Sequence, residues 1–186
     1  VTADNAWDMT NTWGIINTQS YPYLRAFYPT TPRVVSGTAG ATANLDTKLI
    51  VAGAQKDIVR TGANNAFYFL LGANAISGIS NAVQDSTPFL IYTETASSNS
   101  ANIMGTLPVS GASLTNITGA ANTVTFVNGT LNHANMLATI NGYAGDVIGT
   151  DDIFIGISSS NLTIDSGKHF TTLAGTTYQP EGNLTL

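Results

Sequence analysis

Short apolar runs alternate along this chain with clusters of Gly, Asn and Asp. The runs are "KLIVAG" (48–53), "FYFLL" (67–71), "FLIYTET" (89–95), "TVTFV" (123–127), "MLATI" (136–140), "DIFIGIS" (152–158) and "NLTI" (161–164). Their lengths are those of strands, and their Thr-x-Thr and Val-x-Phe alternations match the period of two that sends successive side chains to opposite faces. Between them, "TGANN" (61–65), "VNGT" (127–130), "INGY" (140–143) and "DSGK" (165–168) supply Gly or Asn where a tight turn needs positive φ. No long stretch carries apolar residues at helical spacing with strong helix formers between them. One short helix fits Asn74–Val83, weakened by Gly78 and its serines. The pattern predicts an all-β chain: a small β-sandwich-like module plus a β-solenoid-like region or second β-sandwich.

Three zones differ in texture. Residues 1–33 form an aromatic-rich segment ending in "YPTTPR", whose prolines favour an extended linker. Residues 34–95 carry longer strands and are read as the sandwich-like module. In residues 96–186 the strands are shorter, with many Asn, Thr and Gly, and this zone is read as solenoid-like. "NLTI" begins at Asn161 and "NLTL" at Asn183. A period in the twenties is the size of one solenoid coil, although common strand tetrapeptides also coincide by chance.

Composition narrows the classes. Of 186 residues only 9% are charged, against about 25% in an ordinary domain, while 43% are hydrophobic. The surface is therefore coated with neutral Thr, Ser, Asn and Gly, as suits extracellular and stacking proteins. The net charge is −5, and the cations Lys48, Lys56, Lys168, Arg25, Arg33 and Arg60 are scattered. That argues against nucleic acid as a partner and against an anionic membrane surface. No run reaches the ~20 apolar residues of a membrane-spanning helix, so no membrane insertion is expected. Cysteine is absent, which removes disulfides and thiolate metal sites. No signal peptide is visible and the first residue is Val, so the chain is expected to be processed or part of a larger protein.

The stretch "AWDMTNTWGIINTQSYPYLRAFYP" carries Trp13, Ile15, Ser20, Tyr21, Pro22 and Leu24 in a Trp-x-Ile…Ser-Tyr-Pro-x-Leu arrangement. It resembles the GLUG motif of filamentous-haemagglutinin-like bacterial surface proteins with β-helical repeats. "LAGTTYQPEGNLTL" at the C-terminus is similar to their rung pattern. The resemblance touches both ends and part of the middle, and those proteins are usually far longer. It implies export, a β-helix, and a role in adhesion, biofilm or surface layers. The stretch "KLIVAGAQKDIVRTGANNAFYFLL" also looks like immunoglobulin-like and carboxypeptidase-regulatory-like modules, an analogy of fold alone.

Physically, Trp7, Trp13, Tyr21, Tyr23, Phe27 and Tyr28 could plug an open core end or form a docking surface. A contribution to an ordinary hydrophobic core is the plainer reading. Catalytic chemistry is thinly supported. Asp151 and Asp152 resemble the paired acids of polygalacturonase-like hydrolases, but adjacent strand residues face opposite ways and the rest of that pattern is missing. Asp146, Asp151 and Asp152 are weak Ca²⁺ candidates, with a solvated acidic turn as the plainer reading. His133 and His169 lack an acidic neighbour in sequence. No nucleophile elbow, phosphate loop or dinucleotide fingerprint occurs. No catalytic residue, cofactor or enzymatic activity is therefore expected. The first functional reading is a bacterial extracellular structural or adhesive protein whose partner is itself, joined by strand edges or end-to-end contacts into a filament or surface matrix. The alternative is a monomeric glycan-binding adhesin module whose partners are cell-surface glycans. A β-helical polysaccharide hydrolase is the third.

Overall fold

The computed structural model describes residues 7–40, 43–72, 82–94, 100–141, 143, 153, 155–158 and 161–186. Sixteen strands are defined. They are β1 (Trp13–Gly14), β2 (Tyr23–Leu24), β3 (Arg33–Ala39), β4 (Asp46–Val51), β5 (Ala54–Arg60), β6 (Ala66–Leu71), β7 (Pro88–Glu94) and β8 (Ala101–Thr106), followed by β9 (Leu114–Gly119), β10 (Thr123–Val127), β11 (Gly129–Asn132), β12 (Ile155–Ile157), β13 (Asn161–Ile164), β14 (His169–Thr172), β15 (Thr176–Gln179) and β16 (Asn183–Thr185). A single α-helix among the described residues, α1, covers His133–Ile140. The fold is all-β, as the patterning predicts.

A six-stranded sheet in the order β14-β10-β8-β7-β4-β5 forms the middle layer. Its inner strands read as continuous apolar runs because both of their faces are covered. Leu49, Val51, Phe89, Ile91 and Ile103 pack on one side against Val35, Phe67, Phe69, Leu71 and Ile117 of the sheet β6-β3-β9. Ile50, Leu90, Tyr92, Met104, Val124 and Phe126 pack on the other against Met136 and Ile140 of α1, Leu131 of β11, and Ile155, Leu162 and Ile164 of β12 and β13. Burying one such side chain stabilises by about 1.5–3 kcal/mol, so these two interfaces dominate the fold's stability. The middle sheet takes strands from both the 34–95 and 96–186 ranges, through β7 paired with β8.

The C-terminal half winds in coils. Strands β8, β10 and β14 stack in parallel, as do β11 with β15 and β13 with β16. Ala101 pairs with Thr123, and Asn161 with Asn183, each partner 22 residues further along the chain. The "NLTI"/"NLTL" repeat is thus a pair of stacked strands, with Asn183 Nδ2 donating to Asn161 Oδ1 at 3.1 Å, whereas the β10–β14 and β11–β15 partners lie about twice as far apart in the chain. Gly129 (φ 82°) and Gly167 (φ 78°) take the left-handed turns at the coil corners.

Residues 136–140, read from the pattern as a strand, are helical instead. Asn132 in an extended conformation accepts a hydrogen bond from the Asn135 amide at 2.8 Å and so caps α1. The helix buries His133, Met136, Thr139 and Ile140. A short helix over Asn74–Val83 falls mostly on residues outside those described.

Candidate functional site

The last coil comprises β14, β15 and β16. Each is the outermost strand of its sheet among the described residues. The His169 and Leu173 amides donate inward to the Asn122 and Phe126 carbonyls at 2.8 and 2.9 Å. Alternation along the strand then turns the N–H and C=O groups of Phe170 and Thr172 outward. The interior of the coil is only half closed. Phe126, Phe170 and Tyr178 meet edge to face with centroids 4.8–6.0 Å apart, but Leu173, Leu184 and Leu186 are exposed. No Lys, Arg, Asp, Glu or Pro lies in β14–β16. The opposite edge strand of the middle sheet, β5, carries Lys56, Asp57 and Arg60, the charges that normally keep a strand edge from pairing.

The coil is held to its neighbours by contacts that sequence reading missed. The Glu181 carboxylate accepts from the Ala134 amide and from Asn132 Nδ2, both at 3.1 Å, placing a negative charge at the start of α1. The Glu181 amide donates to His133 Nδ1 at 3.0 Å. Lys168 Nζ donates to Asn122 Oδ1 at 2.8 Å. These partners lie more than 40 residues apart, so no local motif signals them.

The six N-terminal aromatics divide into two groups. Tyr23 is buried, crosses Tyr28 edge to face at 5.6 Å, and occupies the space a Cβ on Gly14 would need. Tyr28 is half-buried and donates its hydroxyl to the Leu70 carbonyl at 3.2 Å. Trp7 stacks on the half-buried Trp13 at 4.6 Å and remains exposed, as do Tyr21 and Phe27 together with Met9 and Ile15. The segment is therefore anchored through Tyr23 and Tyr28 and presents Trp7, Tyr21 and Phe27 outward.

Between this segment and the outer face of β6-β3-β9 lies an open cleft of about 550 Å³. Its floor includes Ser36, Thr38, Tyr68 and Thr118, and its wall is Thr18–Tyr21. Tyr21 crosses Tyr68 edge to face at 5.5 Å and is 75% exposed. The Tyr68 oxygen is buried beside Ser20 and the Tyr21 amide without a well-aligned hydrogen bond to either. Burial raises the Tyr68 hydroxyl above its ordinary pKa. Thr18 (φ 62°) and Asn116 (φ 61°) both line the cleft in the left-handed region, which for a β-branched threonine is an outlier. Asn116 sits where β9 takes three steps against two in β3, a bulge between the Val35↔Leu114 and Gly37↔Ile117 pairs.

Asp146, Asp151 and Asp152 lie outside the described residues. Among the described residues no three His, Cys, Asp or Glu side chains gather as metal ligands would, and no helix is long and apolar enough to cross a membrane. His133 is buried against Tyr178, while His169 is exposed on β14. Compared with known proteins, the chain matches no family model, no curated protein and no solved structure.

Proposed function

We propose that this chain is an extracellular structural protein of the bacterial surface that assembles with copies of itself through its last coil. The observation that carries this reading is the uncharged, one-sided edge of β14, β15 and β16 with Leu184 and Leu186 uncovered. A strand edge of this kind is a template for a further strand, and no charge or proline within its three strands blunts it. The occupant is a second copy, presenting its N-terminal hairpin with the exposed Trp7, Met9, Ile15 and Phe27. Coil to hairpin is a heterologous contact, which propagates into a filament when the rotation does not close. The low charge of the chain weakens repulsion between copies. The GLUG-like stretch at Trp13–Leu24 and the 22-residue coil support placement among exported, β-helical surface proteins.

Light scattering and negative-stain microscopy of the purified chain test this. The wild type is expected to form particles that grow with concentration. Thr172→Pro removes an outward amide while leaving the inward ladder intact, and Leu184→Lys puts a charge on the open coil end. Either substitution should leave monomers, and so should Trp7→Ser combined with Phe27→Ser. A wild type that stays monomeric at every concentration, a closed dimer that grows no further, or assembly unchanged in all three variants would each overturn the reading.

A further inference from the structure

We infer that the cleft between Thr18–Tyr21 and the outer face of β6-β3-β9 binds a neutral oligosaccharide. The inference does not rest on the assembly reading, which uses Trp7, Met9, Ile15 and Phe27 of the N-terminal segment, whereas the cleft uses Thr18–Tyr21. The lining decides the ligand class. Thr18, Ser20, Ser36, Thr38 and Thr118 bring hydroxyls, Gln19 and Asn116 bring amides, and no lining residue is charged. Hydroxyls and amides both donate and accept, which matches a sugar ring whose own hydroxyls do the same. An acidic or basic ligand would find no counter-charge. Tyr21 adds an exposed aromatic face of the kind that covers the apolar C–H side of a sugar. The volume lies within the range of small-molecule sites.

Three local irregularities fall at this cleft. The bulge in β9 turns the backbone at Asn116 out of the regular ladder. Thr18 holds a backbone conformation that β-branched residues avoid. Tyr68 buries a hydroxyl with no aligned partner, where phenylalanine would fill the same space without that desolvation. Similar backbone turns and unpartnered polar atoms occur elsewhere in the fold, and here they coincide with an open, uncharged, hydroxyl-lined cleft.

The test is titration of the full chain with cellohexaose, mannohexaose, maltohexaose and, as an acidic counterpart, hexagalacturonate, followed by calorimetry and by amide chemical shifts. At least one neutral sugar is expected to bind and to shift amides of residues 18–21, 36–38 and 116–118. Tyr21→Ala and the isosteric Thr38→Val should each weaken binding by about tenfold. Tyr68→Phe should weaken it while leaving the thermal midpoint unchanged or higher, which separates a binding role from a structural one. Absence of binding by every neutral sugar at millimolar concentration, binding of the acidic sugar alone, or affinity unchanged in all three variants would overturn the inference. Thr172→Pro should bind sugar like the wild type, so a failure here is distinct from a failure of the assembly reading.

Discussion

Arg33 is 1% exposed and lies at the start of β3, under the loop that carries Pro108–Gly111. Its guanidinium pairs with Asp85 and donates to the Pro108 carbonyl at 2.9 Å. Asp85 also accepts from the Ser110 and Gly111 amides at 2.7 and 3.1 Å, so one carboxylate ties three segments together. The Arg33 hydrogen bond first, and then the Gly111 amide, hold the Asp85 carboxyl below its ordinary value of 3.8. A depressed carboxylate contributes stability that is fully present above the unfolded-state pKa and is lost as pH falls through the folded value. Thermal midpoints measured from neutral pH downward should therefore drop for the wild type below about pH 4. For Asp85→Asn the midpoint should start lower at neutral pH and fall less over the same acid range. A parallel acid limb in the two proteins would show that Asp85 is not the group responsible.

Among the elements, β3 is held on both edges. It pairs antiparallel with β6 and parallel with β9, and a Cβ on Gly37 would run into the Ile117 carbonyl. Gly37→Ala should cost about 1–3 kcal/mol, read as a shift in denaturant midpoint at unchanged slope. The elements also show what a sequence carries on its surface. β4, β6, β7 and β10 were legible because they are short apolar runs closed by turn residues, and "VNGT" and "DSGK" do turn through Gly129 and Gly167. The β13–β16 coil was legible because both strands spell nearly the same tetrad. The coil before it was not, because "ANIMGT" and "TVTFV" share burial but no residue at any paired position. Helix α1 was hidden because its buried stripe at 133, 136 and 140 begins with a histidine, which reads as polar. Its charge partner Glu181 is supplied from 47 residues away. The cleft was invisible for a related reason: its hydroxyls come from residues 18–20, 36–38 and 116–118, and each stretch alone is ordinary Thr/Ser/Asn loop or strand sequence.

At the scale of the molecule, two cores share one sheet, and the last coil is tied to the start of the helix that interrupts the coils before it. Glu181 is the joint. It takes one amide and one side-chain donor from the start of α1, and its own amide goes to the buried His133 ring. Glu181→Gln removes the charge but keeps the shape, and should lower stability by about 0.5–1 kcal/mol. In hydrogen exchange, the amides of residues 133–140 and 169–185 should open with one common free energy, and the substitution should lower both together. Exchange of the helix that is indifferent to Glu181 would separate the two.

That joint also orders events in time. A chain that leaves the ribosome from its N-terminus presents α1 long before residue 181 exists, so the helix waits with an incomplete electrostatic partner at its start. The final coil is then a latch, closed by residues made well after the helix. Until the latch closes, the uncharged edge of β14, β15 and β16 has not been built, and a nascent chain presents no such edge to its neighbours.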